Sequence, residues 1–252
     1  MKIKGDFKYI DGHTHLDFFK EDIDKAIEDI NKNKILTLAN SMDIDSYLLN
    51  KEYGKRSEYI IPCFGIHPWR AGSFSGELEE LIPYIEESKF IGEIGLDYVW
   101  VEDKNTFPKQ REIFKFIVEE SIKRDKIVSL HTKGAEEEIY NILSDNNYNK
   151  VIIHWYSGDL DILDKFIKLG CYFTISVDIG YSTVTEEVLK RIPLDKLLSE
   201  TDGPTALEWV NGVYGYPSEV KRVVNDISKL LKRDDIKSII MENWRKLMDN
   251  DY

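Results

Sequence analysis

Residues 9–17 read YIDGHTHLD. The stretch begins as a short apolar run and ends with two histidines, one residue apart, followed by an acid. Alternate side chains on a strand point to the same side, so His13 and His15 can face one interior and share a cation. Asp11 and Gly12 suit a strand leading into an open turn. Alone, the pair could equally be two polar residues at a strand terminus. The remaining histidines change that balance. His67 in CFGIHPW, His131 in IVSLHTKG and His154 in VIIHWYSG also stand where apolar runs give out, and they complete the five histidines of the chain. Glu93 in FIGEIGLDY and Asp202 in LLSETDGP occupy matching places. Neutral imidazoles and carboxylates are the usual ligands of divalent metals, so one shared metal site is expected.

Eight apolar runs, at 8–11, 34–39, 59–66, 90–95, 127–131, 151–155, 171–177 and 197–200, are predicted strands. Several are dense in Ile, Val, Leu and Phe without strict alternation, as parallel strands buried on both faces are. Between them, helical periodicity covers Asp22–Lys32, Glu77–Glu87, Phe107–Lys123, Ala135–Leu143, Leu160–Leu169 and Val184–Arg191. Ser218–Leu231 and Asp234–Met248 follow as two closing helices. The alternation predicts an α/β fold, a (β/α)8 TIM-type barrel, whose usual size of about 250 residues matches this chain of 252. No Pro/Gly/Ser-rich linker interrupts it, so 1–252 is expected to be a single domain. An open doubly wound sheet could use the same alternation. It would spread the strand ends along a line, whereas a barrel gathers them in a ring, where the active sites of such barrels lie.

The net charge of −12 argues against passive coating of nucleic acid, which relies on basic residues to neutralise phosphates. It leaves room for an enzyme that meets phosphate through metal ions and a few local lysines. No apolar run approaches the ~20 residues needed to span a bilayer, so no membrane association is expected. Cys63 and Cys171 fall in apolar runs and read as buried reduced thiols in a cytoplasmic protein.

Each candidate also has a plainer explanation. Glu93 in an apolar strand is expensive to bury unless a cation or hydrogen bonds compensate, which points to a bridging metal ligand or else to an ion pair. Asp97 is expected to hold the loop that follows. His131 and His154 close neighbouring runs in matching positions, which favours ligation over two unrelated core histidines. Asp202 begins a turn-forming TDGP but ends the eighth run beside the first, so it is read as a ligand and proton acceptor; Glu200 is a lesser candidate. His67 is read as a substrate contact or outer hydrogen-bond partner, with packing on Trp69 as the alternative.

The ordered series DGHTHLD, GIHPW, GEIGLDY, Gln110 with Phe114, HTKGAEE, IIHWYSG, YFTIS and ETDGP resembles the TatD family of metal-dependent deoxyribonucleases, in that family's order from about residue 9 to 204. The resemblance implies a barrel of the amidohydrolase superfamily holding two divalent ions of the Zn, Mn, Mg or Fe kind. It implies that His13, His15, Glu93 and Asp202 hold one ion and that Glu93, His131 and His154 hold the other. His67 and Lys133 match positions near the substrate phosphate, although the family more often has arginine at the latter. Two stretches depart from the family pattern. HWYSG stands in place of HCFSG, and WVNGVYGYPSEV replaces an arginine-rich stretch, which suggests a divergent branch.

The expected activity is phosphodiester hydrolysis by a metal-bound hydroxide, with Asp202 and Glu93 as catalytic residues. Trp69, Tyr98, Trp100 and Trp155 could stack exposed bases, which fits single-stranded DNA or a frayed 3′ end better than a duplex. The same ligands could serve an amide, lactone or small phosphoester hydrolase. A non-catalytic partner in an assembly is the third reading, and the complete ligand set argues against it. The oligomeric state is not legible in these residues.

Overall fold

Residues rich in Ile, Val, Leu and Phe that must be covered on both faces form strands at the centre of the fold. The computed structural model describes residues 6–249 and contains eight of them. They are β1 (Tyr9–Thr14), β2 (Ile35–Asn40), β3 (Ile60–Phe64), β4 (Phe90–Asp97), β5 (Ile127–Lys133), β6 (Val151–Ile153), β7 (Tyr172–Ile175) and β8 (Leu197–Ser199). Each pairs in parallel with the next, in the order β1 to β8. Every residue of β2, β4, β6, β7 and β8 is buried, which explains the unbroken apolar runs. The architecture is a (β/α)8 TIM-type barrel.

Among the described residues, seven helices return the chain from the end of one strand to the start of the next, and three more follow β8. They are α1 (Ile23–Asn33), α2 (Ile44–Gly54), α3 (Ile82–Glu87), α4 (Phe107–Lys123), α5 (Glu136–Asp145), α6 (Leu160–Leu169), α7 (Thr183–Arg191), α8 (Thr205–Asn211), α9 (Val220–Leu231) and α10 (Ile236–Asp249). Boundaries for α4 and α6 match the periodicity, and α9 and α10 are the two closing helices. The expected helix over Glu77–Glu87 is instead a 3-10 turn, Leu78–Leu81, followed by the short α3, with Pro83 at the start where a missing N–H costs nothing.

Helix α2 escaped the periodicity because its leucines do not mark its buried face. Leu48 and Leu49 are 44% and 40% exposed, while Ser46, Tyr47 and Asn50 are buried. Its start was legible in another way. Asp43 accepts from Ser46 N at 2.9 Å and Ser46 Oγ accepts from Asp43 N at 3.1 Å, a reciprocal cap of two otherwise unpaired donors. At the N-terminal end of the barrel, Trp244 of α10 is buried and stacks on Phe90 at 5.4 Å between centroids.

Between β8 and β1 the regular ladder gives way to individual hydrogen bonds. Asp202 N donates to His13 O at 2.8 Å, and His15 N to Gly203 O at 3.0 Å. The buried Asp11 carboxylate accepts from Thr201 N at 2.8 Å and Thr201 Oγ1 at 2.6 Å, and Ser199 Oγ donates to Ile10 O at 2.8 Å. The bonds that close the barrel therefore run between the segments that carry His13, His15 and Asp202. Among the described residues no helix is long and apolar enough to cross a membrane.

Replacing Thr201 with valine keeps the shape and removes one donor from a buried carboxylate. The expected cost is about 1–3 kcal/mol, read as a lower melting temperature by circular dichroism. An unchanged melting temperature would mean that Asp11 does not hold the seam.

Candidate metal centre

Glu93 projects from β4 into the C-terminal mouth of the barrel, where its two oxygens meet different partners. Oε2 lies 3.2 Å from Nε2 of both His13 and His15. Oε1 lies 2.9 Å from His131 Nδ1, 3.2 Å from His154 Nε2 and 3.3 Å from His67 Nε2. Asp202 Oδ1 is 3.5 Å from His15 Nε2 and 4.0 Å from His13 Nε2, on the Oε2 side. All five histidines of the chain thus surround one carboxylate.

The local backbone makes this approach possible. A Cβ at Gly65 would stand 2.3 Å from Glu93 O, and one at Gly95, where φ is +150°, would stand 1.9 Å from His131 O. Only glycine lets β3, β4 and β5 converge at that height. Strand β1 extends beyond its expected end, so His13 lies within the ladder as His131 does, whereas β6 stops at Ile153, short of the expected 155, so His154 follows its strand as His15 and His67 follow theirs. Trp155 and Asp202, each next to or within the cluster, adopt left-handed φ values of 37° and 46°. Such backbone persists only where the surroundings fix it.

Outer hydrogen bonds set the orientation of the rings. His131 Nε2 faces Asp97 Oδ2 at 2.9 Å and His154 Nδ1 faces Glu200 Oε1 at 3.2 Å. Both carboxylates accept, so in the neutral rings those nitrogens carry the proton and the opposite nitrogens turn a lone pair towards the centre. His13 Nδ1 lies 3.1 Å from Ser129 Oγ. His67 is built the other way. The amide of Trp69 donates to its Nδ1 at 3.1 Å, which leaves the proton on Nε2. By distance alone His67, Glu93 and His131 could hold an ion. The Trp69 amide decides against it, because the nitrogen of His67 that faces Glu93 is a donor.

The charge balance suits cations. Burial pushes the Asp202 carboxyl up to about 7 and holds His13 and His67 down to about 4. Burial also opposes ionisation of Glu93, yet His67, His13 and His154 outweigh it and keep its pKa well below the usual carboxylate range. His15 shows the demand most clearly. Burial disfavours its charge, but Glu93 and Asp202 raise it to about 9. The carboxylates draw positive charge into a buried site, and His15 Nδ1 and Glu200 Oε2 remain there without hydrogen-bond partners. Mixed imidazole and carboxylate donors supply what a divalent transition ion takes. His13, His15 and Glu93 form one group able to hold an ion, and His131 and His154 face the other Glu93 oxygen.

The cluster forms the floor of a cavity of about 900 Å³. Lys133, Trp69 and Trp155 line it. Lys133 Nζ donates to Ser157 Oγ at 2.7 Å and sits 5.9 Å from the Trp100 ring. Tyr98 is turned elsewhere: its ring packs on Phe107 and its hydroxyl donates to Glu138 at 2.9 Å. Asp97 does hold its loop, accepting from Val99 N and Trp100 N at 2.9 and 2.7 Å. It also accepts the Trp69 indole N–H at 2.7 Å, so one carboxylate orients His131 and two tryptophans of the cavity lining. The hydrogen bonds of His131 and Trp69 outweigh burial and keep Asp97 ionised, with a pKa of about 2. That multiple role was not legible in GLDY, and nothing in IVSLH singled out Ser129.

A family model described as TatD related DNase matches residues 10–249. An uncharacterized metal-dependent hydrolase of Methanocaldococcus jannaschii is 27% identical over 249 residues, covering 96% of this chain and 97% of its own. The human deoxyribonuclease TATDN3 is 24% identical over 215 residues, 77% of each chain. Among solved structures, a TatD homologue from Escherichia coli superposes with a TM-score of 0.84 at 23% identity, over 95% of this chain and 97% of that one.

Asp97→Ala removes the partner of His131 Nε2. Metal affinity, measured by competition with a fluorescent chelator, is expected to fall about 10–100-fold while the circular dichroism spectrum stays native. Unchanged affinity would mean that Asp97 serves only the loop.

Proposed function

Because the chain belongs to the TatD related DNase family of metal-dependent hydrolases, we propose that it cleaves phosphodiester bonds in DNA at single-stranded or frayed 3′ ends. The observation that carries this reading is the division of Glu93 between two sets of imidazoles. His13, His15 and Asp202 with one Glu93 oxygen would hold one divalent ion, and His131 and His154 with the other oxygen would hold a second. Such ions, when bound, polarise a scissile phosphate and acidify water. Histidine-rich ligation favours Zn, Mn or Fe over Mg.

The chain's own groups supply the rest. Asp202, whose Oδ1 lies 3.5 Å from His15 Nε2 and which lines the cavity, would take the proton. His67, whose Nε2 N–H is directed at Glu93 Oε1 3.3 Å away, lines the cavity and would hold that carboxylate in place beside the substrate's phosphate. Lys133 is a point charge at the cavity wall and suits a phosphate oxygen without the paired bonds an arginine would make. Trp69 and Trp155 offer flat faces to unpaired bases. The net charge of −12 fits a substrate that enters by its end and makes few phosphate contacts. The deoxyribonuclease name of the human relative supports DNA as the polymer. A cytoplasmic setting, where thiols stay reduced, suits Cys63 and Cys171, both buried and unpaired.

With a single-stranded oligonucleotide labelled at its 3′ end, the purified protein is expected to release nucleotides, and a chelator to abolish release until Zn or Mn is restored. Asp202→Asn should lower kcat about 10²–10⁴-fold. Full activity on a lactone with none on DNA would contradict the reading.

A further inference from the structure

On the β7–β8 side of the cavity stand aromatic residues that the reaction as described does not use. Trp209 of α8 is 65% exposed, and Tyr181, in the turn before α7, is 57% exposed; both line the cavity. They are not loose. Asn211 Nδ2 donates to the Tyr181 hydroxyl at 3.2 Å, and the Arg222 guanidinium lies 5.6 Å from the Tyr181 ring centroid. Arg222 is itself fixed, donating to Val177 O at 2.7 Å. Trp155, held in its left-handed conformation beside His154, continues the wall towards the floor.

Asp178 belongs to the same wall and is 8% exposed. Thr185 Oγ1 donates to its Oδ2, and the Trp155 side chain also favours its charged form, while Oδ1 has no partner at ordinary hydrogen-bond distance. A half-satisfied buried carboxylate is costly, and a ligand that brings a donor would relieve it. An anionic group is unsuited to that wall, since Asp178 would repel it and Arg222 is already occupied. Phosphate therefore belongs against Lys133, and a neutral flat group against Asp178 and the aromatic rings. Trp155 and Trp209 also fall in HWYSG and WVNGVYGYPSEV, the two stretches where the chain departs from the family pattern.

We propose that Trp155, Tyr181, Trp209 and Asp178 form a nucleobase subsite that takes one unpaired base beside the scissile bond, with Asp178 accepting from the exocyclic amine of cytosine or adenine. The inference rests on the phosphodiesterase reading above. The aromatic faces stack on any base. Discrimination comes from Asp178, which accepts only. Thymine's single N–H lies between two carbonyl oxygens that would face the carboxylate, whereas the amines of cytosine and adenine lie beside a ring nitrogen. Guanine presents paired donors, but Thr185 already holds one of the two carboxylate oxygens.

The test compares kcat and KM on short oligonucleotides whose base beside the cleaved bond is cytosine, thymine or absent. Trp209→Ala should raise KM for the base-bearing substrates roughly tenfold or more, and that penalty should vanish with the abasic one. Wild type should prefer cytosine over thymine by roughly fivefold to tenfold, and Asp178→Asn should erase the preference with metal content unchanged. Equal effects of Trp209→Ala on base-bearing and abasic substrates, or no effect on KM, would overturn the subsite. If Asp178→Asn does not fold, the Trp209 comparison decides. If the wild type cuts no oligonucleotide, the phosphodiesterase reading fails and the subsite is judged by quenching of tryptophan fluorescence with deoxycytidine monophosphate. Saturable quenching that weakens in Trp209→Ala would uphold it, and its absence would end it.

Discussion

A carboxylate 2% exposed, encircled by five imidazoles, is the constraint on which the rest of this molecule depends. Glu93 cannot be buried there without positive charge close by. The barrel meets the requirement by bringing the ends of six strands to one point, from His13 to Asp202. Glycines at 65 and 95 allow the backbones to come close enough, and Ser129, Asp97 and Glu200 set the rings at the right angle.

Fold stability and chemistry share the same residues at the seam. Backbone hydrogen bonds from Asp202 to His13 and from His15 to Gly203 close the barrel and simultaneously set two imidazoles against Asp202. Asp11, two residues before His13, grips Thr201, one residue before Asp202. An error in closing the barrel would therefore appear first as a misplaced His13, His15 or Asp202. The rim is tied in as well, because Asp97 links Trp69 and Trp100 to His131.

Most of the strands and the cluster were legible because burial on both faces leaves an uninterrupted apolar run, and a polar residue ending such a run is conspicuous. His13, His15, Glu93, His131, His154 and Asp202 stand out for that reason, and the structure gathers them. Helix α2 was not legible from periodicity, since its exposed Leu48 and Leu49 hide its buried face, although Asp43 and Ser46 mark its start. The different status of His67 rests on one backbone amide, at Trp69, which no spacing of residue types reveals. Asp178, Tyr181 and Trp209 reach the cavity from turns and a short helix after β7 and β8, where sequence carries little periodic signal.

The central claim is that Glu93 separates two ions, and anomalous X-ray scattering from crystals grown with manganese tests it most directly. The account predicts two anomalous peaks in the barrel mouth, one against each Glu93 oxygen, with His13, His15 and Asp202 around one and His131 and His154 around the other. A single peak ligated by His67, or none beside Glu93, would contradict it.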